Sequence, residues 1–129
     1  MIVVDASVVV ELLLNTSRTE TIAVRLRQEQ LHAPELLDLE VLQVIRRYRL
    51  FEQLPARRAE QAVADFGLIR IERHTHAVLR SRIWQLHPNL TAYDAAYVAL
   101  AELLGSPLLT LDGKLARSAV HDAEIELLG

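Results

Sequence analysis

Short apolar runs alternate with longer stretches in which apolar residues return every third or fourth position, and this pattern repeats along all 129 residues. Ile2-Val3-Val4 is continuous and β-branched, as expected of a strand covered on both faces. The spacing then predicts helices over 6–14 and 18–30, a strand over 31–33, and a helix over 34–51. Pro34 would open that last helix, in a first turn where its missing N–H does no harm. Another helix is expected between 55 and 66, with Gly67 as a left-handed cap. A strand over 68–72 follows, then a helix over 76–86 that stops before Pro88. The clearest helix covers 91–104, with Gly105 past its end. A strand over 108–111, a turn at Asp112-Gly113, a short helix over 114–119 and a strand over 125–128 complete the pattern. Strands separated by helices predict an α/β fold, a parallel sheet joined by right-handed crossovers. No linker, repeat or low-complexity tract divides the chain, so one domain over 1–129 is expected.

Composition narrows the chemistry more than the fold. Apolar residues make up 51% and charged residues 24%, ordinary for a folded domain. The absence of cysteine removes disulfides, zinc ribbons and thiol nucleophiles together, and suits a reducing, cytoplasmic setting. The apolar opening at 1–4 is interrupted by Asp5 and has no basic leader, and no stretch has the length of a membrane span. Net charge is −3, whereas a module that held nucleic acid by phosphate neutralisation alone should be basic. Lys114 is the single lysine among 14 basic residues, a bias that genome composition explains as simply as phosphate recognition does.

The carboxylates are more informative. In open parallel sheets, ligands bind beyond the carboxyl ends of the strands. Asp5 and Asp112 each follow an apolar strand run directly, and Asp94 lies in a helix first turn, three residues after Thr91. Each has a plain alternative: Asp5 as a helix cap, Thr91-x-x-Asp94 as a variant capping box, Asp112-Gly113 as a turn. Glu40 is harder to dismiss. It falls mid-helix beside the stripe of Leu36, Leu37 and Val44, where a carboxylate is costly unless paired with Arg46 or Arg47 or bound to a metal. Four such groups in one pocket would repel one another and raise their own pKa values. A hard divalent cation relieves that repulsion, and oxygen-only ligation selects Mg²⁺ or Mn²⁺. The ion would also give an acidic protein the positive charge needed to hold a phosphodiester.

With these residues in place, the chain resembles the PIN-domain family and, within it, the VapC toxins. The blocks that carry the resemblance are Ile2-Val3-Val4-Asp5-Ala6-Ser7, Ala33-Pro34-Glu35-Leu36-Leu37-Asp38-Leu39-Glu40, Leu90-Thr91-Ala92-Tyr93-Asp94-Ala95-Ala96-Tyr97-Val98-Ala99-Leu100-Ala101, and Leu108-Leu109-Thr110-Leu111-Asp112-Gly113-Lys114-Leu115-Ala116. The resemblance implies a three-layer sandwich with a central sheet of about five parallel strands, and Mg²⁺-dependent cleavage of RNA by a type II toxin–antitoxin endoribonuclease. It implies an acidic quartet at Asp5, Glu40, Asp94 and Asp112. Asp5 and Asp94 would be direct metal ligands, and Glu40 and Asp112 would act directly or through water. Ser7 and Thr91 match positions that orient substrate or support the ligands. Gly113 and Lys114 stand where some members carry a further acid, which weakens the case for a second metal. A VapB-type antitoxin, a homodimer, and a heterotetramer or larger assembly with the antitoxin are also implied.

Other signals point to structure. His74-x-His76 lies at a strand-to-helix junction with no cysteine or further close ligand in sequence, and His32, His87 and His121 are isolated. Arg46, Arg47 and Arg49 read as a solvated helix face, Arg80 and Arg82 as candidates to approach the acidic site and balance its charge, and Trp84 as a packed helix residue. Tyr93 and Tyr97, four apart, read as core or interface. The alternative function is a PIN-like module that binds RNA or protein without turnover. Phosphoaspartate chemistry is disfavoured because Ser7 stands where an aspartate phosphatase carries a second carboxylate, and Asp5-Ala6 lacks a receiver's acidic pair.

Overall fold

Ile2, Val3 and Val4 are fully buried and form β1 (Ile2–Val4), the middle strand of a five-stranded sheet. The computed structural model describes residues 1–118 and 121–128. The other strands are β2 (Leu31–Pro34), β3 (Ile71–His74), β4 (Leu108–Thr110) and β5 (Ile125–Leu127). All pairings are parallel, in the order β3-β2-β1-β4-β5. The chain therefore winds outward from β1 to β3, then returns to β1 and winds the other way through β4 and β5. The reversal falls between β1 and β4, where doubly wound sheets open a crevice at the carboxyl ends of their strands.

The helices are α1 (Ala6–Leu14), α2 (Thr19–Leu26), α3 (Leu37–Leu50), α4 (Ala56–Phe66), a 3₁₀ turn (His76–Leu79) running into α5 (Arg80–Gln85), α6 (Ala92–Leu104) and α7 (Gly113–Ala116). α1 packs on α2, α3 and α4, while α6 packs on α5, the 3₁₀ turn and strands β1 and β2. The result is the expected three-layer α/β sandwich. Among the described residues, no helix is long and apolar enough to cross a membrane.

Several boundaries differ from the sequence reading. α2 stops at Leu26, and Gln28 turns with a left-handed φ of 70°. Pro34 closes β2 opposite His74 rather than opening a helix, and α3 begins at Leu37. A proline fits the last position of a strand, where its missing N–H leaves little of the ladder unmade. β3 starts at Ile71, later than predicted, because Leu68 and Ile69 are drawn into the turn that ends α4 and Leu68 is exposed. Gly67 has a right-handed φ of −63°, so the left-handed caps are Asn15 and Gly105 instead. The last short helix ends at Ala116; Ala119, where it was expected to end, lies outside the described residues. Trp84 is 69% exposed and stacks on His87 instead of packing into the core.

Candidate active site

A helix that follows a parallel strand starts at that strand's carboxyl end and runs back to the amino end of the next, so helix N-termini gather at the carboxyl edge of the sheet. All four acidic residues consequently sit at helix N-termini. Asp5 caps α1 and accepts from the Val8 N–H at 3.2 Å. Asp112 caps α7 and accepts from the N–H groups of Lys114, at 2.9 Å, and Leu115. Asp94 is in the first turn of α6, whose cap Thr91 accepts from the Asp94 N–H at 3.1 Å. Because α3 begins at Leu37, Glu40 is in a first turn too, not mid-helix. Unpaired N–H groups at such ends carry partial positive charge and favour anions.

Asp5 is 7% exposed, and both of its carboxylate oxygens are engaged. The Ser7 hydroxyl donates to Oδ1 at 2.5 Å, and the Thr110 hydroxyl donates to Oδ2. Those hydroxyls in turn accept from backbone, Ser7 from the Leu111 N–H at 3.1 Å and Thr110 from the Asp112 N–H at 2.9 Å. The network ties the end of β1 to the end of β4 across the crevice. Glu40 takes neither Arg46 nor Arg47 as partner. The Tyr97 hydroxyl, from a side chain 2% exposed, donates to Glu40 Oε1 at 2.5 Å.

Burial raises the pKa of Asp5 despite its hydroxyl and amide donors. It also raises Glu40, to which the charges of Asp94 and Asp5 add while the Tyr97 hydroxyl opposes. Asp94 is raised by burial and then by Asp112, against the pull of Lys114. The Tyr97 phenol is pushed far above its ordinary value by burial and by Glu40. Helix ends alone therefore do not neutralise this cluster. Among the described residues, none of the four acids forms an ion pair with a lysine, arginine or histidine. The donor set is oxygen alone, as a hard divalent cation prefers. The gathering is nevertheless loose. Among the described residues, a trio of ligand atoms all within 4.8 Å of one another occurs at His32, Glu72 and His74, and not at the rim.

Ser7 and Thr91 have definite positions, Ser7 bracing Asp5 and Thr91 capping the helix that carries Asp94. Arg82 is held away by Glu102 at 2.8 and 3.0 Å, so it does not balance the cluster's charge. Tyr97, Thr110 and Lys114 belong to the neighbourhood although the sequence did not mark them. Tyr97 carried a signal, since it lies three residues after Asp94 and shares its helix face. Beside Glu40 an open groove of about 340 Å³ is lined by Ala6, Leu36, Leu39, Val44, Arg47 and Tyr93, among others.

Comparison with known proteins identifies the family and the fold. The PIN domain profile matches residues 2–120. Ribonuclease VapC12 of Mycobacterium tuberculosis is 43% identical over 128 residues, covering 99% of this chain and 99% of the relative. Ribonuclease VapC1 of the same species is 38% identical, covering 98% and 96%. Among solved structures, M. tuberculosis VapC20, titled a sarcin-ricin loop cleaving toxin, superposes with a TM-score of 0.69 at 17% identity, over 90% of this chain and 93% of that one. VapBC2 from Rickettsia felis, solved with a DNA fragment from its promoter, gives 0.64 at 14% identity, over 98% of both. With its full-length relatives and its sheet in agreement, the chain belongs to the PIN-domain family of metal-dependent nucleases, in the VapC branch.

Proposed function

We propose that the chain is a Mg²⁺-dependent endoribonuclease, with Mn²⁺ as a substitute metal, acting in the cytoplasm as the toxin of a type II toxin–antitoxin module. The observation that carries this reading is a set of desolvated carboxylates, Asp5, Glu40 and Asp94, with raised pKa values and no cationic side chain paired to them. Asp5 and Asp94 are the proposed direct ligands, with Glu40 and Asp112 acting directly or through water. The loose spacing suits Mg²⁺, which keeps several of its waters and takes only one or two carboxylates. When bound, the ion supplies the charge that an RNA phosphate needs and activates a water for attack.

The protein's own contribution is positioning. Ser7 and Thr110 hold both Asp5 oxygens in place, so the ligand is oriented before metal arrives. Tyr97 fixes Glu40, and its raised phenol pKa keeps it a donor at any working pH. Lys114, close enough to Asp94 to pull its pKa down, adds a positive charge beside the rim.

A VapB-type antitoxin is the proposed partner, alongside a homodimer that assembles with it into a heterotetramer or larger. The apolar groove beside Glu40 offers an amphipathic segment a seat, with Leu39 73% and Tyr93 66% exposed at its edges. It is built mainly from α3 and its approach, with Ala6 of α1 and Tyr93 of α6. An antitoxin arginine entering the rim would pair with the carboxylates in place of metal. Cleavage of RNA in Mg²⁺ by wild type but not by folded Asp94→Asn supports the nuclease. Equal cleavage by the two proteins would end that assignment, and absence of Mg²⁺ or Mn²⁺ binding would favour a non-catalytic module.

A further inference from the structure

A second group of ligands lies on β2 and the edge strand β3, on different strands from the β1–β4 crevice. His32 on β2 is directly opposite Glu72 on β3, and His74 follows two residues on, so the three side chains share one face. His32 Nδ1 is 2.9 Å from His74 Nε2 and 3.7 Å from Glu72 Oε2. Ligands of a tetrahedral zinc-like ion stand about 3.3 Å apart, between the two distances from His32, and all three ligand atoms lie within 4.8 Å of one another, so side-chain adjustment alone would bring them around an ion. His76, the other half of the His-x-His motif, is engaged elsewhere, accepting from the Leu36 N–H at 3.0 Å.

We propose that His32, Glu72 and His74 form a separate metal site that takes a nitrogen-preferring transition ion of the zinc class. Two imidazoles and one carboxylate select such an ion over Mg²⁺, which prefers oxygen alone. Access is open on one side: a cleft of about 430 Å³, lined by Glu29, His32, Arg70 and Glu72 among others, reaches two of the three ligands from solvent. Three protein ligands leave the fourth position to water, as in open zinc sites. His32 is 4% exposed and its Nε2 has no hydrogen-bond partner, so the cluster supplies the ring's one polar contact. Coordination through Nδ1 places the proton on that orphaned nitrogen, which holds the affinity below that of a closed structural site. The ion would cross-link β2 to the edge strand.

Tag-free, full-length protein titrated with Zn²⁺ and Co²⁺ in excess Mg²⁺ tests the proposal. The expected result is one zinc per chain, a visible Co²⁺ spectrum of low-symmetry coordination, and a rise in Tm with zinc. Glu72→Gln should weaken zinc binding about tenfold and His74→Ala about a hundredfold, while Asp94→Asn leaves it unchanged. Glu72 is exposed, so its variant guards against a His74→Ala chain that fails to fold. Zinc binding that disappears with Asp94→Asn but survives Glu72→Gln and His74→Ala would overturn the proposal, as would no zinc binding at all.

Discussion

Glu126, Asp38 and Glu102 each meet an arginine, at 2.6 Å from Arg25, 2.9 Å from Arg73 and 2.8 Å from Arg82. Asp5, Glu40 and Asp94 meet hydroxyls and backbone amides instead. The consequences run in opposite directions. The Arg82 guanidinium holds Glu102 below the ordinary carboxylate range, and the chain's amino terminus with Arg25 does the same for Glu29. Burial drives the rim carboxylates upward, and repulsion from neighbouring acids adds to it at Glu40 and Asp94. The protein has arginines enough to neutralise the rim, yet the fold spends them on its periphery. What remains at the crevice is negative charge fixed in place and awaiting a cation, at a cost to the metal-free fold.

The sharpest way to break this contrast is to remove a rim charge. Asp94→Asn or Asp5→Asn should lower Mg²⁺-dependent RNA cleavage by at least about 10²–10³-fold, measured as single-turnover cleavage of a labelled RNA. Tyr97→Phe is milder. It frees Glu40 without removing a charge, so a loss of about tenfold is expected, with the fold retained.

Stability should move the other way. An acid whose pKa is higher folded than unfolded binds protons more tightly in the native state. Metal-free protein should therefore lose stability as pH rises from about 4 through the raised values of Asp5, Glu40 and Asp94, and stay lowered above them. Thermal melts in chelator should show Tm falling over that window, and Mg²⁺ should restore it at neutral pH. Under the same conditions, Asp94→Asn should raise the metal-free Tm by a few degrees, the shift that about 1 kcal/mol gives in a domain of this size. A lower Tm for this variant would show that the rim is not under electrostatic strain. The smallest effect is expected at the periphery, where Arg82→Ala should cost at most about 1 kcal/mol and leave cleavage unchanged, because its partner Glu102 remains partly solvated.

Much of this was legible in the sequence, for local reasons. The β-branched run at Ile2-Val3-Val4 sets a buried strand, and Thr91 with Gly105 brackets α6. Asp5 and Asp94 then fall at the rim from connectivity alone. Misreadings arose where a residue has two local uses. Pro34 suits a helix start or a strand end, and Leu68 extends an apolar run that the chain uses as a turn. Glu40 became a first-turn residue once Pro34 joined β2.

The pairings of Tyr97 with Glu40 and of Thr110 with Asp5 had no such local signal. Tyr97 and Glu40 are 57 positions apart, and Thr110 and Asp5 are 105 apart. His32 meets His74 across 42. Periodicity and capping chemistry, which act over a few residues, determined the strands, the helix starts and the family blocks. Which hydroxyl faces which carboxylate, and that His32 and His74 share a sheet face, depended on strand register and on the rotation of each helix as it packs. Those are settled by burial of the whole core, so the tertiary structure alone decided them.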